Sequence, residues 1–331
     1  MAVVTIAKAL NNALRAALEH DPRVLLMGED IGKLGGVFRI TDGLQKDFGD
    51  DRVIDTPLAE SGIIGTAVGL AMRGYRPVCE IQFDGFVYPA FDQIVTQVAK
   101  HHARSAGRTS MAMVIRIPFG GGIGAVEHHS ESPEAYFAHT AGLRVVSPSN
   151  PLDAFVMLQQ AIACDDPVVF MEPKRRYWDK GEIPEDLVAA VDAHSRGDLF
   201  RARVVRPGRD LTLACYGPTV RTCLEAATVA EGEGRELEVI DLRSLSPLDF
   251  ETVYSSVRRT GRLVVVHEAP VFLGLGSELA ARVTERCFYS LEAPVLRVGG
   301  FHAPYPPSRL EDDYLPDLDR VLDGVDRSFA T

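Results

Sequence analysis

Residues 55–83 read DTPLAESGIIGTAVGLAMRGYRPVCEIQF, in which a turn, an apolar helical pattern and a strand pattern follow one another. Residues 63–72 are apolar or small on nearly every side of a helix, and a helix of that kind is expected to be buried. Residues 77–83 form an apolar run of the length of a strand. Helices that alternate with strands in this way indicate βαβ units and a mostly parallel sheet.

The same alternation extends in both directions from this stretch. Up to about residue 175 the sequence predicts strands at 24–27, 77–83, 111–117 and 168–171, and helices at 6–18, 63–72, 90–103 and 151–162. Residues 174–208 are basic and aromatic and then polar, which is typical of a linker. Beyond them we predict strands at 211–215, 237–240, 263–266 and 295–298, and helices at 220–231, 249–260 and 277–289. The prediction is therefore an α/β protein with a domain at 1–180, a linker at 181–206 and a smaller α/β domain at 207–331.

Composition excludes several classes of protein. The 331 residues suit two domains of roughly 100–200 residues each, and 46 % hydrophobic with 24 % charged residues is a globular mixture. The net charge of −11, from 35 basic and 46 acidic residues, disfavours a nucleic-acid partner, which needs a basic face. No apolar run reaches the ~18–20 residues that cross a bilayer, so no membrane span is expected.

The cysteines and the N-terminal residues bear on the cellular compartment in which the protein is expected. The five cysteines include no C-x-x-C pair, so we expect neither a disulfide framework nor a zinc site. The chain begins at once with helical spacing and shows no signal or transit features. A reducing bacterial cytoplasm is the expected location.

Glu60 lies in or near the first turn of the apolar helix predicted at 63–72. A carboxylate there can simply stabilise the positive end of the helix dipole. An acid at the mouth of a buried helix is also poorly solvated and needs a partner, which makes it a candidate functional residue. Spacing alone leaves both interpretations open.

A glycine-rich segment, Phe119 to Ala125, follows the strand predicted at 111–117. A dinucleotide-binding loop would open an apolar helix, whereas the residues that follow, 126–131, have no helical apolar face. We expect instead a mobile loop that lets the backbone approach a ligand. There is no phosphate-binding G-x-x-x-x-G-K-[ST] loop and no G-x-S-x-G nucleophile motif.

Two histidines on that loop, His128 and His129, are candidates for different chemistry. A metal site is one option, although adjacent histidines usually point apart and no H-x-x-x-H spacing accompanies them. A proton donor near a substrate is the other. His267 follows a predicted strand, where sites cluster in parallel sheets, and a packed structural histidine is an equal alternative.

Several motifs in one order identify a family resemblance that spans nearly the whole chain. The matching stretches are Met27-Gly28-Glu29-Asp30, Asp55-Thr56-Pro57-Leu58-Ala59-Glu60, Glu80-Ile81-Gln82-Phe83, Pro89-Ala90-Phe91-Asp92-Gln93, His129-Ser130-Glu131-Ser132-Pro133-Glu134, Asp241-Leu242-Arg243 and His267-Glu268-Ala269-Pro270. The sequence resembles the β-subunit of thiamin diphosphate-dependent 2-oxo acid dehydrogenases. The fold that this resemblance implies is a transketolase-like pyrimidine-binding domain followed by a transketolase C-terminal-like domain.

The resemblance also implies roles for particular residues. Glu60 matches the glutamate that hydrogen-bonds N1′ of the aminopyrimidine ring and so favours the imino tautomer, which removes the C2 proton of the thiazolium. His129 matches a histidine implicated in acyl transfer to lipoamide, where a dithiolane sulfur must be protonated. The implied cofactor-binding residues are Glu60, Leu58, Gln82, Phe86 and Glu29.

Two further features are carried over from the family. Glu29 and Asp92 match acidic residues between paired active sites, and a proton path there is a hypothesis. Some members hold a potassium ion through backbone carbonyls, and the matching positions are Met113, Ala161, Ile162, Cys164 and Asp166. Side-chain identity does not test a contact that carbonyl groups make.

The sequence contains only half of the motifs that such a cofactor requires. Mg²⁺ and a diphosphate need oxygen ligands and hydrogen-bond donors, which in this family come from a Gly-Asp-Gly motif followed by Asn-Asn. No Gly-Asp-Gly occurs here, and the single Asn-Asn, Asn11-Asn12, lies near the N-terminus. We therefore expect an α-subunit to hold Mg²⁺ and the diphosphate in an α₂β₂ heterotetramer. The expected further partner is a lipoyl acyltransferase core, docked on the C-terminal domain.

The substrate is expected to be a branched-chain 2-oxo acid. The stretches 80–83 and 132–139 are more similar to branched-chain members than to pyruvate dehydrogenases, which remain the alternative. Less favoured alternatives are a non-catalytic docking subunit, against which Glu60 and His129 argue together, and a single-chain transketolase-like enzyme.

Overall fold

Two open β-sheets and a two-stranded sheet organise the chain, and a computed structural model describes them over residues 2–184 and 199–331. The strands are β1 (Ala2–Thr5), β2 (Val24–Gly28), β3 (Val53–Asp55), β4 (Arg76–Glu80), β5 (Val114–Phe119), β6 (Arg144–Val146), β7 (Val168–Pro173), β8 (Lys180–Ile183), β9 (Arg203–Arg206), β10 (Leu211–Cys215), β11 (Leu237–Asp241), β12 (Ser244–Ser246), β13 (Leu263–Pro270) and β14 (Leu296–Gly300). The alternating pattern that predicts an α/β fold is confirmed.

Helices cover the sheets and connect their strands. They are α1 (Ile6–His20), α2 (Leu44–Phe48), α3 (Glu60–Met72), α4 (His101–Arg104), α5 (Glu134–Ala138), α6 (Pro151–Ala163), α7 (Thr219–Gly232), α8 (Phe250–Thr260), α9 (Leu275–Cys287), α10 (Glu311–Tyr314) and α11 (Leu318–Phe329). Among the described residues, none of these helices is long and apolar enough to cross a membrane.

The larger sheet has the strand order β12-β6-β7-β5-β4-β2-β3 and is parallel except at the β12 edge. The smaller sheet has the order β14-β13-β10-β11-β9 and is parallel except at the β9 edge. Central strands such as β5 and β10 are buried along their whole length, as expected of sheets with both faces covered. The strand ends of the larger sheet carry the candidate site.

The predicted linker, 181–206, contains edge strands of two sheets. Strand β8 pairs antiparallel with β1, and β9 forms the antiparallel edge of the smaller sheet. Residues 185–198 of the predicted linker lie outside the described residues. Strand β12, from the second half of the chain, joins the larger sheet beside β6 and so ties the two halves together.

The helix predicted at 90–103 is wrong as a continuous element. The chain forms a 3₁₀ helix at Asp84–Ala90, a π-helical turn at Gln93–Val98 and then the short helix α4. Pro89 lies inside the 3₁₀ segment, and a proline cannot donate the hydrogen bond that a regular helix needs. The segment is therefore irregular beside the candidate site.

Helix α3 is buried on one face only, which corrects the expectation that an apolar helix is buried all round. Ile63, Ile64 and Ala67 pack into the core. On the opposite face Gly65 and Gly69 are exposed, and a β-carbon at either would meet no atom within 4 Å. An apolar helix with an open, flat face is a surface on which another chain can pack closely.

Candidate active site

Glu60 is the first residue of α3 and is only 7 % exposed. Within the described part of the chain its carboxylate has no hydrogen-bond or ion-pair partner, and no side chain caps the helix start. The positive end of the helix dipole favours the negative charge of a carboxylate at this position. Its oxygens therefore retain their capacity to accept hydrogen bonds.

Glu29 and Gln82 lie beside Glu60. The pKa of Glu29 is raised by burial and by the negative charges of Asp30 and Glu60, so these two glutamates are within electrostatic reach of each other. Gln82 Nε2 donates to the Glu29 carbonyl oxygen at 3.4 Å. Leu58, by contrast, is 71 % exposed, and its side chain is open to a neighbouring molecule.

His129 is surrounded by aromatic rings. Its ring centroid lies 4.1 Å from that of Phe83 and 5.1 Å from that of Phe86, and His128 is on its other side at 4.3 Å. Its Nδ1 is buried and has no hydrogen-bond partner among the described residues. Burial lowers the pKa of His129, and the positive charges of His128 and Lys174 lower it further. The imidazole is thus half-buried and biased toward its neutral form, and neither ring nitrogen has a hydrogen-bond partner among the described residues.

His128 and His129 have no further metal ligands beside them among the residues that the structure describes. The described residues contain no group of three or more His, Cys, Asp or Glu side chains that could hold a metal ion. His128 is exposed and stands 3.6 Å from the Glu127 carboxylate. The metal alternative therefore lacks a ligand set, while the proton-donor alternative has a positioned imidazole.

An ion pair that the sequence analysis missed lies beneath this loop. Lys174 Nζ donates to Asp84 Oδ1 at 2.5 Å, and both side chains are fully buried. Asp84 Oδ2 accepts the Glu131 N–H at 2.8 Å, and a β-carbon at Gly85 would lie 2.3 Å from the His128 carbonyl oxygen. Asp84 and Lys174 are 90 residues apart, and Lys174 was assigned to the start of the linker-like stretch, so no local pattern linked them.

The glycine-rich segment is held by side chains of the second half of the chain. Gly120, Gly122 and Gly124 all have positive φ angles, near 83°, 85° and 70°. A β-carbon at Gly121 would lie 1.9 Å from Tyr305 Oη. At Gly121 the close approach that a glycine allows is therefore to a side chain of this protein, whereas a β-carbon at Gly124 would meet no atom within 4 Å.

His267 is structural. Its Nδ1 bonds to the Ala269 carbonyl oxygen at 2.9 Å, and its Nε2 accepts the Gly276 N–H at 3.3 Å. Burial lowers the pKa of His267 to about 4, so the ring is neutral. The packed alternative is the one that the structure supports.

Two of the five backbone carbonyls that match the potassium site accept hydrogen bonds from Arg76. The Arg76 Nη1 group donates to the carbonyl oxygens of Ile162 and Cys164, each at 3.0 Å. The Met113 carbonyl accepts from Val168 N, and that of Ala161 accepts from Cys164 N. The guanidinium already supplies positive charge at this point, so the residues present fit a bound potassium ion poorly, and we assign it no role.

Comparison with known proteins agrees with the two-domain architecture. Residues 2–179 match the family described as the transketolase pyrimidine binding domain, and residues 201–321 match the transketolase C-terminal domain. The pyruvate dehydrogenase E1 component subunit beta of Leifsonia xyli subsp. xyli is 61 % identical over 325 residues, which are 98 % of this chain and 94 % of that protein. This chain belongs to the family of E1 β subunits of 2-oxo acid dehydrogenases.

Other E1 β subunits carry different substrate names. The 3-methyl-2-oxobutanoate dehydrogenase subunit beta of Mycobacterium tuberculosis is 55 % identical over 98 % of this chain and 91 % of its own length. The 2-oxoisovalerate dehydrogenase subunit beta of Pseudomonas aeruginosa is 46 % identical over 96 % and 93 %. A solved split-gene transketolase, described as an inactive β4 tetramer, shares the fold with a TM-score of 0.79 at 22 % identity over 99 % of both chains.

Proposed function

We propose that this E1 β subunit supplies the cofactor-activating half of a thiamin diphosphate site and that Glu60 is the activating carboxylate. The observation that carries the proposal is the Glu60 side chain itself, which is buried at the start of α3 and has no partner among the described residues. A carboxylate in that position is ready to accept a hydrogen bond from a ring nitrogen. The complete enzyme, with an α-subunit, would oxidatively decarboxylate 2-oxo acids and pass the acyl group to a lipoyl acyltransferase.

The residues in and beside the 3₁₀ segment Asp84–Ala90, which packs against α3, fit the aminopyrimidine end of the cofactor. Phe83 and Phe86 form an aromatic wall, and Gln82 and Glu29 are half-buried beside it. Thr56 Oγ1, four residues before Glu60, is also buried and lacks a partner in the described part of the chain. Bound thiamin diphosphate would supply the electron sink that accepts the electrons of the departing carboxylate. Glu60 would hold the proton at the ring nitrogen, and the aromatic side chains would exclude water.

The Mg²⁺–diphosphate half of the site is proposed to come from an α-subunit in an α₂β₂ assembly. The sequence has no Gly-Asp-Gly motif, and the described residues hold no carboxylate cluster suited to a metal ion. The open face of α3, with Gly65 and Gly69, lies on the helix that begins at Glu60, and Leu58 is exposed beside it. A second chain packed on this face would complete the cofactor site and cover the apolar surface.

His129 is proposed as the proton donor in transfer of the acyl group to the lipoyl dithiolane. Its ring is fixed between Phe83 and Phe86, and its Nδ1 is buried, so Nε2 is the ring nitrogen that would meet the lipoyl group. When the S–S bond opens, one sulfur takes the acyl group, which is oxidised as the disulfide is reduced, and the other sulfur needs a proton. A positioned imidazole is the group best suited to give it.

Branched-chain 2-oxo acids are the proposed substrates, and pyruvate is the second candidate. The stretches 80–83 and 132–139 favour branched-chain acids, whereas the 61 % identical relative is named for pyruvate. One methylene in an apolar pocket is worth only ~1–3 kcal/mol, so small changes in the pocket decide between them. The test of this substrate preference measures CO₂ release by the α–β complex. The substrates compared are pyruvate and the oxo acids of valine, leucine and isoleucine. Equal rates on pyruvate would overturn it.

The Glu60→Gln variant tests the central claim. An amide keeps the shape of the side chain but cannot hold the proton at the ring nitrogen, so we expect decarboxylation by the α–β complex to fall by about 10²-fold or more. Glu19→Gln, at an exposed position on α1, is the matched control. Unchanged CO₂ release from Glu60→Gln would favour a non-catalytic docking subunit. Tight binding of Mg²⁺–thiamin diphosphate by the isolated chain would favour a single-chain enzyme.

The cysteines agree with a proposed cytoplasmic location. All five are unpaired and buried. Burial raises the pKa of Cys79 to about 12, which keeps that thiol protonated and unreactive. Free thiols of this kind suit a reducing compartment.

A further inference from the structure

The loop that carries His129 is closed at its base. The Gly120 N–H donates to the Glu131 carbonyl oxygen at 2.9 Å, and the 3₁₀ turn Glu127–His129 lies between these ends. On one side, Asp84 and Gly85 hold the Glu131 end of the loop. The glycine-rich end is held from another part of the chain.

Glu311, the first residue of α10, holds that glycine-rich end. Its Oε1 accepts the Gly122 N–H at 2.8 Å, and its Oε2 accepts the Gly124 N–H at 2.9 Å. The Tyr305 hydroxyl donates to Oε1 at 2.6 Å. Backbone N–H groups of residues with positive φ form a concave site for an anion, and here the anion is a side chain that is 5 % exposed. One carboxylate thus fixes two points of the loop.

A second carboxylate adds a third point. Glu268 Oε2 accepts the Gly121 N–H at 3.1 Å, and the other oxygen of Glu268 forms an ion pair with Arg175 at 2.5 Å. Arg175 also packs against Gly122, because a β-carbon built on Gly122 would lie 2.6 Å from Arg175 Cδ. Glu268 therefore has an alternative partner in Arg175, whereas both oxygens of Glu311 contact the loop directly.

We propose that Glu311 is a positioning residue for His129 and so controls acyl transfer without controlling decarboxylation. This inference rests on the role proposed for His129. Glu311 touches no reacting atom. It restrains a segment in which four of the five residues 120–124 are glycine, and such a segment has no side chains of its own to fix its path.

The two half-reactions should respond differently because they depend on different elements. Glu60 lies on α3, and no described hydrogen bond joins α3 to residues 120–131. Decarboxylation should therefore survive a loosened loop. Protonation of the dithiolane needs the imidazole in place, and a misplacement of about 1 Å can cost ~10²-fold in rate.

The test compares two rates in the assembled α–β complex. Decarboxylation is followed as CO₂ release with an artificial electron acceptor, and acyl transfer is followed with a lipoyl domain as acceptor. Glu311→Gln replaces one accepting oxygen with an NH₂ group that cannot accept from a backbone N–H. Tyr305→Phe is the milder variant, Glu251→Gln is the exposed control on α8, and His129→Ala is the reference.

We expect Glu311→Gln to lower acyl transfer by about 10-fold or more while decarboxylation changes less than about two-fold, and Tyr305→Phe to give a smaller drop of the same kind. Equal losses in both rates would reduce Glu311 to a general stabilising role and overturn the inference. The deciding quantity is the rate of acyl transfer divided by the rate of decarboxylation. If this ratio is unchanged in Glu311→Gln but lowered in His129→Ala, the inference about Glu311 is overturned and the proposed function stands. An unchanged ratio in His129→Ala would instead remove the role proposed for His129. Should Glu311→Gln not fold, Tyr305→Phe decides by the same ratio.

Discussion

The buried pair of Lys174 and Asp84 beneath the His129 loop should be much more sensitive to removal of one partner than to removal of both. Both side chains are fully buried, and Nζ and Oδ1 are 2.5 Å apart. In the Lys174→Met variant the carboxylate of Asp84 loses its counter-ion while it remains fully buried. Removing one partner of a buried pair costs about 3–5 kcal/mol, a large fraction of the ~5–15 kcal/mol that stabilises a typical domain.

The double variant supplies the contrast. In the double variant, Asp84→Asn with Lys174→Met, neither of these two positions carries a charge. The asparagine oxygen can still accept the Glu131 N–H that Asp84 accepts now. Replacing a buried pair by neutral groups of similar size is often close to neutral. We therefore expect the double variant to be more stable than either single one, with a coupling of about 2–3 kcal/mol between the two positions.

Urea unfolding followed by circular dichroism measures these differences at one fixed protein concentration. Lys46→Met, at an exposed position on α2, is the control and should lie within about 0.5 kcal/mol of the parent chain. The reasoning is refuted if Lys174→Met is as stable as the control. It is refuted equally if the double variant is no more stable than the weaker single variant, because then charge is not the cause.

Two further predictions concern the histidine and the open helix face. The pKa of His129 is lowered by burial, His128 and Lys174, so acyl transfer that uses protonated His129 should fall as pH rises through a value below the usual ~6.5. Removing the Lys174 charge alone in Lys174→Met should move this limb of the pH profile to higher pH, and a limb that does not move contradicts the assignment. Gly65→Ala should raise the unfolding free energy of the isolated chain by about 0.5–1 kcal/mol, because the new methyl group meets no atom within 4 Å. The same variant should weaken assembly with the α-subunit in analytical ultracentrifugation, and unchanged assembly would show that no chain packs there.

Local sequence patterns were sufficient for the elements that depend on local contacts. The strand predicted at 211–215 is β10, and the first-turn position predicted for Glu60 is its position in α3. Both follow from apolar periodicity and from the residues that begin a helix. The pattern at 90–103 misled because apolar periodicity does not distinguish a regular α-helix from the π-helical turn Gln93–Val98 and the short helix α4 that the chain forms.

Contacts between distant residues could not be predicted in the same way. Strand β12 has only three residues, and its partner β6 lies about a hundred positions earlier. Glu311 contacts Gly122 across 189 residues. A single unaligned sequence contains no signal for such pairs, so the residues that support the His129 loop became visible only in the folded chain.

The glycines show why the candidate site is only partly explained by this chain. At Gly121 the space beside the backbone is filled by Tyr305, and the contact is complete within the molecule. At Gly65 and Gly69 the same residue type faces open space on the helix that begins at Glu60. A mid-helix glycine costs about 1 kcal/mol relative to alanine, and within the described residues nothing offsets that cost on α3. The compensation should therefore come from another chain packed against the glycine face, next to the carboxylate that lacks a partner.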